Sequence, residues 1–175
     1  MDTTSESERK PMKNSTTVER KSERELVVAR TVNAPARIVF EAWTKPELLK
    51  QWWVPKSAPM TLLSCEQDVR VGGSYRLVFS FQGSQSEPMA FFGTYREVIP
   101  HSRLVWTNDE AGDDGQISTV TFEEKAGKTL VVMHELYPSK EALDAALASG
   151  SQEGTLETFE QLDAFVVTLA ASVVR

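Results

Sequence analysis

The stretch TLETFEQLDAFVVTLAASVVR, Thr155 to Arg175, decides the fold. Leu156, Phe159, Leu162, Val166, Leu169 and Val173 recur at steps of three and four, while Glu157, Glu160, Gln161 and Asp163 fall on the opposite side. That spacing predicts an amphipathic helix. At about twenty residues it is roughly 30 Å long. Its second half is apolar nearly all round, which predicts deep cover. Such a helix needs a broad apolar surface to lie on, and the rest of the chain must supply it.

The residues before it supply strands. Ser74 to Phe81 alternates, with Tyr75, Leu77, Phe79 and Phe81 on one face and Ser74, Arg76 and Ser80 on the other. Pro88 to Ile99 shows Met89, Phe91, Gly93 and Tyr95 on one face, and Arg103 to Thr107 sets Leu104 and Trp106 on one side. Met60 to Asp68, Ile117 to Glu124 and Thr129 to Tyr137 complete the run. Gly72-Gly73, Pro100-His101-Ser102 and Ala126-Gly127 are tight turns, and sequential strands joined this way form an antiparallel meander.

Ahead of the meander, Glu25 to Val32 is β-rich and ends at Asn33, read as a helix N-cap with Pro35 near the first turn. Arg37 to Thr44 and Pro46 to Trp52 read as two short helices. Ser139 caps a further one, Lys140 to Ala148, and Gly150 and Gly154 interrupt the chain before the last helix. The fold class is α+β: a curved antiparallel sheet of about six or seven strands around a long C-terminal helix, with two short helices after the first strand. Bulky aromatics on the concave face would hold the helix off the sheet and leave an apolar cavity.

The chain has 175 residues, the length of one domain. Residues 1–23 hold only Met1, Met12 and Val18 as apolar side chains, and their charges cancel, which predicts a disordered tail ahead of a domain at 24–175. Net charge is −6 and no basic stripe is visible, so neither nucleic acid nor anionic lipid is an expected partner. Cys65 is the single cysteine, which excludes an internal disulfide, and it reads as a small apolar strand residue. No run of eighteen apolar residues occurs and the N-terminus carries no apolar signal segment. These features together predict a cytoplasmic protein.

Several ordered blocks resemble a known family. They are Val32-Asn33-Ala34-Pro35 with Val39 to Leu49, Trp52-Trp53 with Pro55, Asp68 to Arg76, Gly93 to Pro100, Arg103 to Thr107, and Leu136 to Ala142. Over about residues 25–170 the chain is similar to the START-like (SRPBCC) superfamily. Within it, the chain resembles the bacterial proteins related to the C-terminal domain of the activator of the ninety-kilodalton heat-shock-protein ATPase. The resemblance implies a helix-grip fold. Members include carriers of hydrophobic ligands, polyketide cyclases and co-chaperone domains, so the fold alone does not choose among them. Ser151 after Gly150 and Thr155 after Gly154 depart from the family pattern, so no ligand preference is carried over.

The expected activity is binding of a small hydrophobic or aromatic ligand between sheet and helix. Its expected lining is Trp52, Trp53, Tyr75, Leu77, Phe79, Phe91, Tyr95, Trp106, His134 and Phe159. Ligand sites are mostly apolar clefts with a few polar anchors, and Tyr and Trp offer a flat body with one hydrogen-bonding tip. The plainer reading of each ring is core filling. His134 is the better placed of two histidines to anchor a ligand, against the plainer reading of a satisfied sheet residue, and His101 reads as a turn residue at the surface.

An enzyme of cyclase or hydrolase type is the first alternative, with Tyr95, Glu97 and His134 as its acid–base candidates. Glu97 follows Tyr95 by two and so shares its strand face unless a bulge intervenes. A co-chaperone module acting on a heat-shock ATPase is the second. Asp68 and Arg70 read as charges flanking a tight turn. The histidines lie too far apart in sequence to suggest a metal site, and no phosphate-cradling glycine motif or nucleophile elbow occurs, so neither metal nor cofactor is expected.

Overall fold

The computed structural model describes residues 15–82, 87–109 and 115–174. Eight strands run β1 (Thr17–Arg20), β2 (Glu25–Val32), β3 (Met60–Gln67), β4 (Ser74–Phe81), β5 (Met89–Ile99), β6 (Arg103–Asn108), β7 (Gln116–Lys125) and β8 (Lys128–Leu136). Helices are α1 (Ala36–Thr44), α2 (Pro46–Leu49), α3 (Lys140–Ala148) and α4 (Ser151–Val174). The strands form one antiparallel sheet in the order β1-β2-β8-β7-β6-β5-β4-β3. It curves around α4, as the alternating pattern and the long apolar stripe require. Register shifts between Leu62 and Ser64 on β3 and between Tyr95 and Glu97 on β5 bend the strands locally.

The eighth strand corrects the tail expected over residues 1–23. Thr17–Arg20 pair with Leu26–Ala29, and Val18 packs against the core. A polar segment forms a strand here because β2 offers an unpaired edge and one apolar contact. Residues 1–14 lie outside the described residues.

Asn33 does not cap α1. The N-cap is Pro35, which has no side-chain acceptor, and the Glu124 carboxylate reaches across from β7 to accept from Ala36 N at 2.9 Å. An anion at that end also meets the helix dipole favourably. Asn33 N instead donates to Asp163 Oδ1 on α4. The second short helix stops at Leu49, and turns carry the chain on through Trp53.

Phe159, Leu162 and Val166 of α4 are fully buried. Asp163, expected on the polar side, is buried as well and pairs with Arg30 of β2. The deep cover expected for the second half of α4 is not found. Leu169 and Ala170 still pack against the core, but only partly buried, and Val167 is 43% exposed. Gly150, at φ +81°, ends α3, while Gly154 lies inside the first turn of α4 rather than breaking it.

Candidate ligand cavity

A cavity of about 410 Å³ lies between the concave face of the sheet and α4. That size suits one small organic molecule. Strand alternation builds its floor. Tyr75, Leu77 and Phe79 of β4 point inward, as do Phe91 and Tyr95 of β5 and Trp106 of β6. Phe159 of α4 and Trp53, from the turn after α2, close the opposite side. Tyr75, Tyr95 and Trp106 form a mutual cluster with ring centroids 5.9 to 6.5 Å apart.

Two expected residues lie elsewhere. Trp52 is 1% exposed but does not line the cavity; its Nε1–H donates to Ala42 O at 3.0 Å, anchoring the α1–α2 corner. His134 sits on the outer face of β8, where its Nε2 is 2.8 Å from Glu25 Oε2. The Tyr95–Glu97–His134 constellation is not assembled. The irregularity after Tyr95 shifts the register, and Glu97 pairs with Arg103 at 2.5 Å, both side chains half-exposed. Tyr95 alone of the three faces the cavity, and burial pushes its phenol up to about 12.

The cavity's ionisable acid is Glu135, which the sequence reading passed over. On β8 the inward side chains are Thr129, Val131, Met133 and Glu135, with His134 facing away. Glu135 Oε1 accepts from Gln116 Nε2 at 2.6 Å and from Ser118 Oγ at 2.5 Å. Asn108 Nδ2 donates to Ser118 Oγ and to Gln116 O, and Tyr75 Oη donates to Thr107 O at 2.7 Å. Burial pushes the Glu135 carboxyl up to about 7, against the pull of the two donors and of His134. Burial and the Glu135 charge raise the Tyr137 phenol to about 12. The signal for Glu135 was present in sequence: one acid on the apolar side of a period-two strand.

A second polar group stands on the opposite wall. Gln67 Nε2 donates to Trp43 O at 2.9 Å and to Tyr95 Oη at 3.0 Å. Trp43 Nε1 and Gln67 Oε1 are buried with no partner among the described residues, and both side chains line the cavity. Trp43 is the further aromatic wall that the sequence reading placed on α1 without assigning it to the site. Cys65, on β3, packs against the core, and burial pushes its thiol up to about 11. Among the described residues no three His, Cys, Asp or Glu side chains cluster as metal ligands would. No described helix is long and apolar enough to cross a membrane.

A crystal structure of a Rhodobacter sphaeroides protein superposes with a TM-score of 0.78 at 22% identity, covering 88% of this chain and 99% of that one. A Nitrosomonas europaea protein gives 0.75 at 24%, covering 86% and 99%. A solution structure described as an AHSA1-like protein from Aeromonas hydrophila gives 0.64 at 19%, covering 82% and 93%. At these identities the likeness shows the fold. No curated protein matches the chain. The family model described as "Activator of Hsp90 ATPase homolog 1-like protein" matches residues 33–166, from the end of β2 well into α4. The match spans most of the sequence, so the chain belongs to that family, a branch of the START-like superfamily.

Proposed function

We propose that the protein binds one small hydrophobic or aromatic molecule in the cavity between the sheet and α4. The observation that carries this reading is the cavity itself: about 410 Å³ between the sheet and α4, lined mainly by apolar and aromatic side chains and partly open to solvent. Small-molecule sites are typically concave, mostly apolar clefts of this size. An apolar ligand seated there takes those walls out of water and gains dispersion contacts along them. Tyr75, Tyr95 and Trp106 give it an aromatic floor of rings set at 59° to 77° to one another, and buried polar groups at two walls would orient the occupant.

Native mass spectrometry and thermal shift against a panel of flavonoids, fatty acids and aromatic polyketides test the proposal. The expected result is a one-to-one complex and a raised Tm; ligand at a hundredfold excess over Kd adds about 2.7 kcal/mol. Leu77→Trp, which fills the floor, should abolish both effects while the fold is kept. A panel without a single binder, or binding that Leu77→Trp leaves intact, would overturn it.

A further inference from the structure

The inward positions along one cross-strand row are Leu26 on β2, Glu135 on β8, Ser118 on β7, Trp106 on β6 and Tyr95 on β5. Trp106 is therefore two strands from Glu135, about 10 Å at 4.8 Å per strand. A carboxyl group and the Tyr75–Tyr95–Trp106 ring cluster share one floor, a head-and-body distance apart.

The hydrogen bonds give that carboxyl a direction. Oε1 takes both protein donors, Gln116 and Ser118. Oε2 has no protein partner among the described residues, although Glu135 as a whole is only 8% exposed. Asn108 is turned onto Gln116 O and Ser118, and Tyr75 onto Thr107 O, while the Tyr137 phenol, which also lines the cavity, is raised to about 12 by burial and by the Glu135 charge and brings no charge of its own near neutral pH. Among the described residues no Lys, Arg or His lines the cavity, so none of them is a counter-cation for Glu135 there. His134 is its neighbour in sequence but lies across the sheet, paired with Glu25. Leu26 on β2 and Gln152 and Thr155 on α4 bring no charge to this end.

We propose that Glu135 is the recognition site for a protonated amine, its ammonium on Oε2 and its aromatic body on the Tyr75–Tyr95–Trp106 cluster. This rests on the cavity reading above and names the ligand class. A buried carboxylate is costly alone and is stabilised when a cation comes with the ligand. The ring cluster, a ligand's length away, takes the aromatic body behind that charge. The carboxyl titrates near neutrality, so the ligand's charge decides its state: a cation favours the carboxylate, a carbonyl acceptor the neutral acid.

Three probes of matched size separate the cases: 1-naphthylmethylamine, 1-naphthylmethanol and 1-naphthoic acid, titrated calorimetrically into the full chain at pH 8 and pH 6. The amine should bind at least about tenfold tighter than the alcohol at pH 8, the value of one charge-assisted bond. It should weaken about tenfold at pH 6, where the carboxylate fraction of a group titrating at about 7 falls by that factor. The amine itself stays protonated at both. Glu135→Gln should erase the preference for amine over alcohol. Should that variant not fold, the wild-type ligand and pH comparisons still decide. Alcohol binding as tight as amine, tightest binding by the acid, or an amine preference that survives Glu135→Gln would overturn the amine site and leave the cavity reading standing. Failure of all three probes to bind would count against both.

Discussion

Arg30 on β2 and Asp163 on α4 meet at 3.1 Å with side chains only 10% and 9% exposed, so a buried ion pair ties the long helix to the sheet. Asp163 also accepts from Asn33 N, and Arg30 Nη1 donates to Thr16. Removing one partner strands the other's charge in the interior. Asp163→Ala should therefore cost about 3–5 kcal/mol. The double variant Arg30→Met with Asp163→Leu should be less destabilised than the sum of the two single changes, because no charge is left behind. Urea unfolding of the wild type, Asp163→Ala, the two single variants Arg30→Met and Asp163→Leu, and the double variant checks both statements.

Glu135 makes stability fall as pH rises. Its folded-state value of about 7 lies above the ordinary carboxylate value of 4.5, so the folded protein holds the proton more tightly than the unfolded chain. Below about 4.5 both states are protonated and no penalty exists; through the window up to about 7 the penalty grows to on the order of 3 kcal/mol. Wild type should thus lose more stability than Glu135→Gln between pH 5 and pH 7.5. The lowered carboxyls of Glu25 and Asp144 work in the opposite direction but are common to both proteins and cancel in the comparison. Equal pH slopes for the two proteins would contradict the assignment of Glu135 as a buried acid.

The helix, the meander and the aromatic floor were legible because period and residue type agree there: Leu156 to Val166 at helical steps, Tyr75 to Phe79 at alternate positions. The polar chemistry was less so. His134 drew attention by residue type, while alternation set it outside and its neighbour Glu135 inside. Glu97 shares a face with Tyr95 only in a regular strand, and the register shift on β5 is a tertiary event without a sequence mark. Asp163 lies beside the apolar stripe of α4, and partners over a hundred residues away, Arg30 and the Asn33 N–H, explain its burial. Because Glu97 and His134 sit in half-exposed pairs with Arg103 and Glu25, Glu97→Gln and His134→Ala should each change stability by no more than about 1 kcal/mol. Neither should alter binding of 1-naphthylmethanol.

Trp52 and Trp106 separate packing from lining. Trp52 is enclosed between Trp43, at 4.8 Å, and Trp53, at 5.4 Å, with its N–H on Ala42 O. Trp52→Phe should lose about 1–3 kcal/mol through a small void and one orphaned carbonyl, while 1-naphthylmethanol affinity changes less than about twofold. Trp106→Phe keeps an aromatic ring but shrinks the floor that the proposed ligand would touch. It should weaken that affinity several-fold with a smaller stability loss. Calorimetric titration beside thermal denaturation reads both quantities, and the reverse pattern would mean that the cavity walls have been misassigned.

Two glycines answer oppositely to the same added methyl group. At Gly93 a Cβ would fall 1.9 Å from Thr107 O and 2.7 Å from Thr107 C, so backbone on β6 would have to shift. Gly93→Ala should cost at least the upper end of the usual overpacking penalty of about 1–3 kcal/mol. It also disturbs the Thr94 N–H bond to Thr107 Oγ1, and so the strand bearing Tyr95. At Gly154 the added Cβ would meet Pro55 Cγ at 3.5 Å, an ordinary contact, in the first turn of α4. There alanine removes unfolded-chain freedom without strain and should stabilise by about 0.5–1 kcal/mol, raising Tm by about 1–4 °C. Gly154 also lines the cavity, so the extra methyl narrows it beside Thr155 and Phe159. A tighter helix with weaker binding of 1-naphthylmethanol is the expected pair of results. A Gly154→Ala protein that gains stability and binds unchanged would place the ligand's contacts further along the floor, toward Glu135.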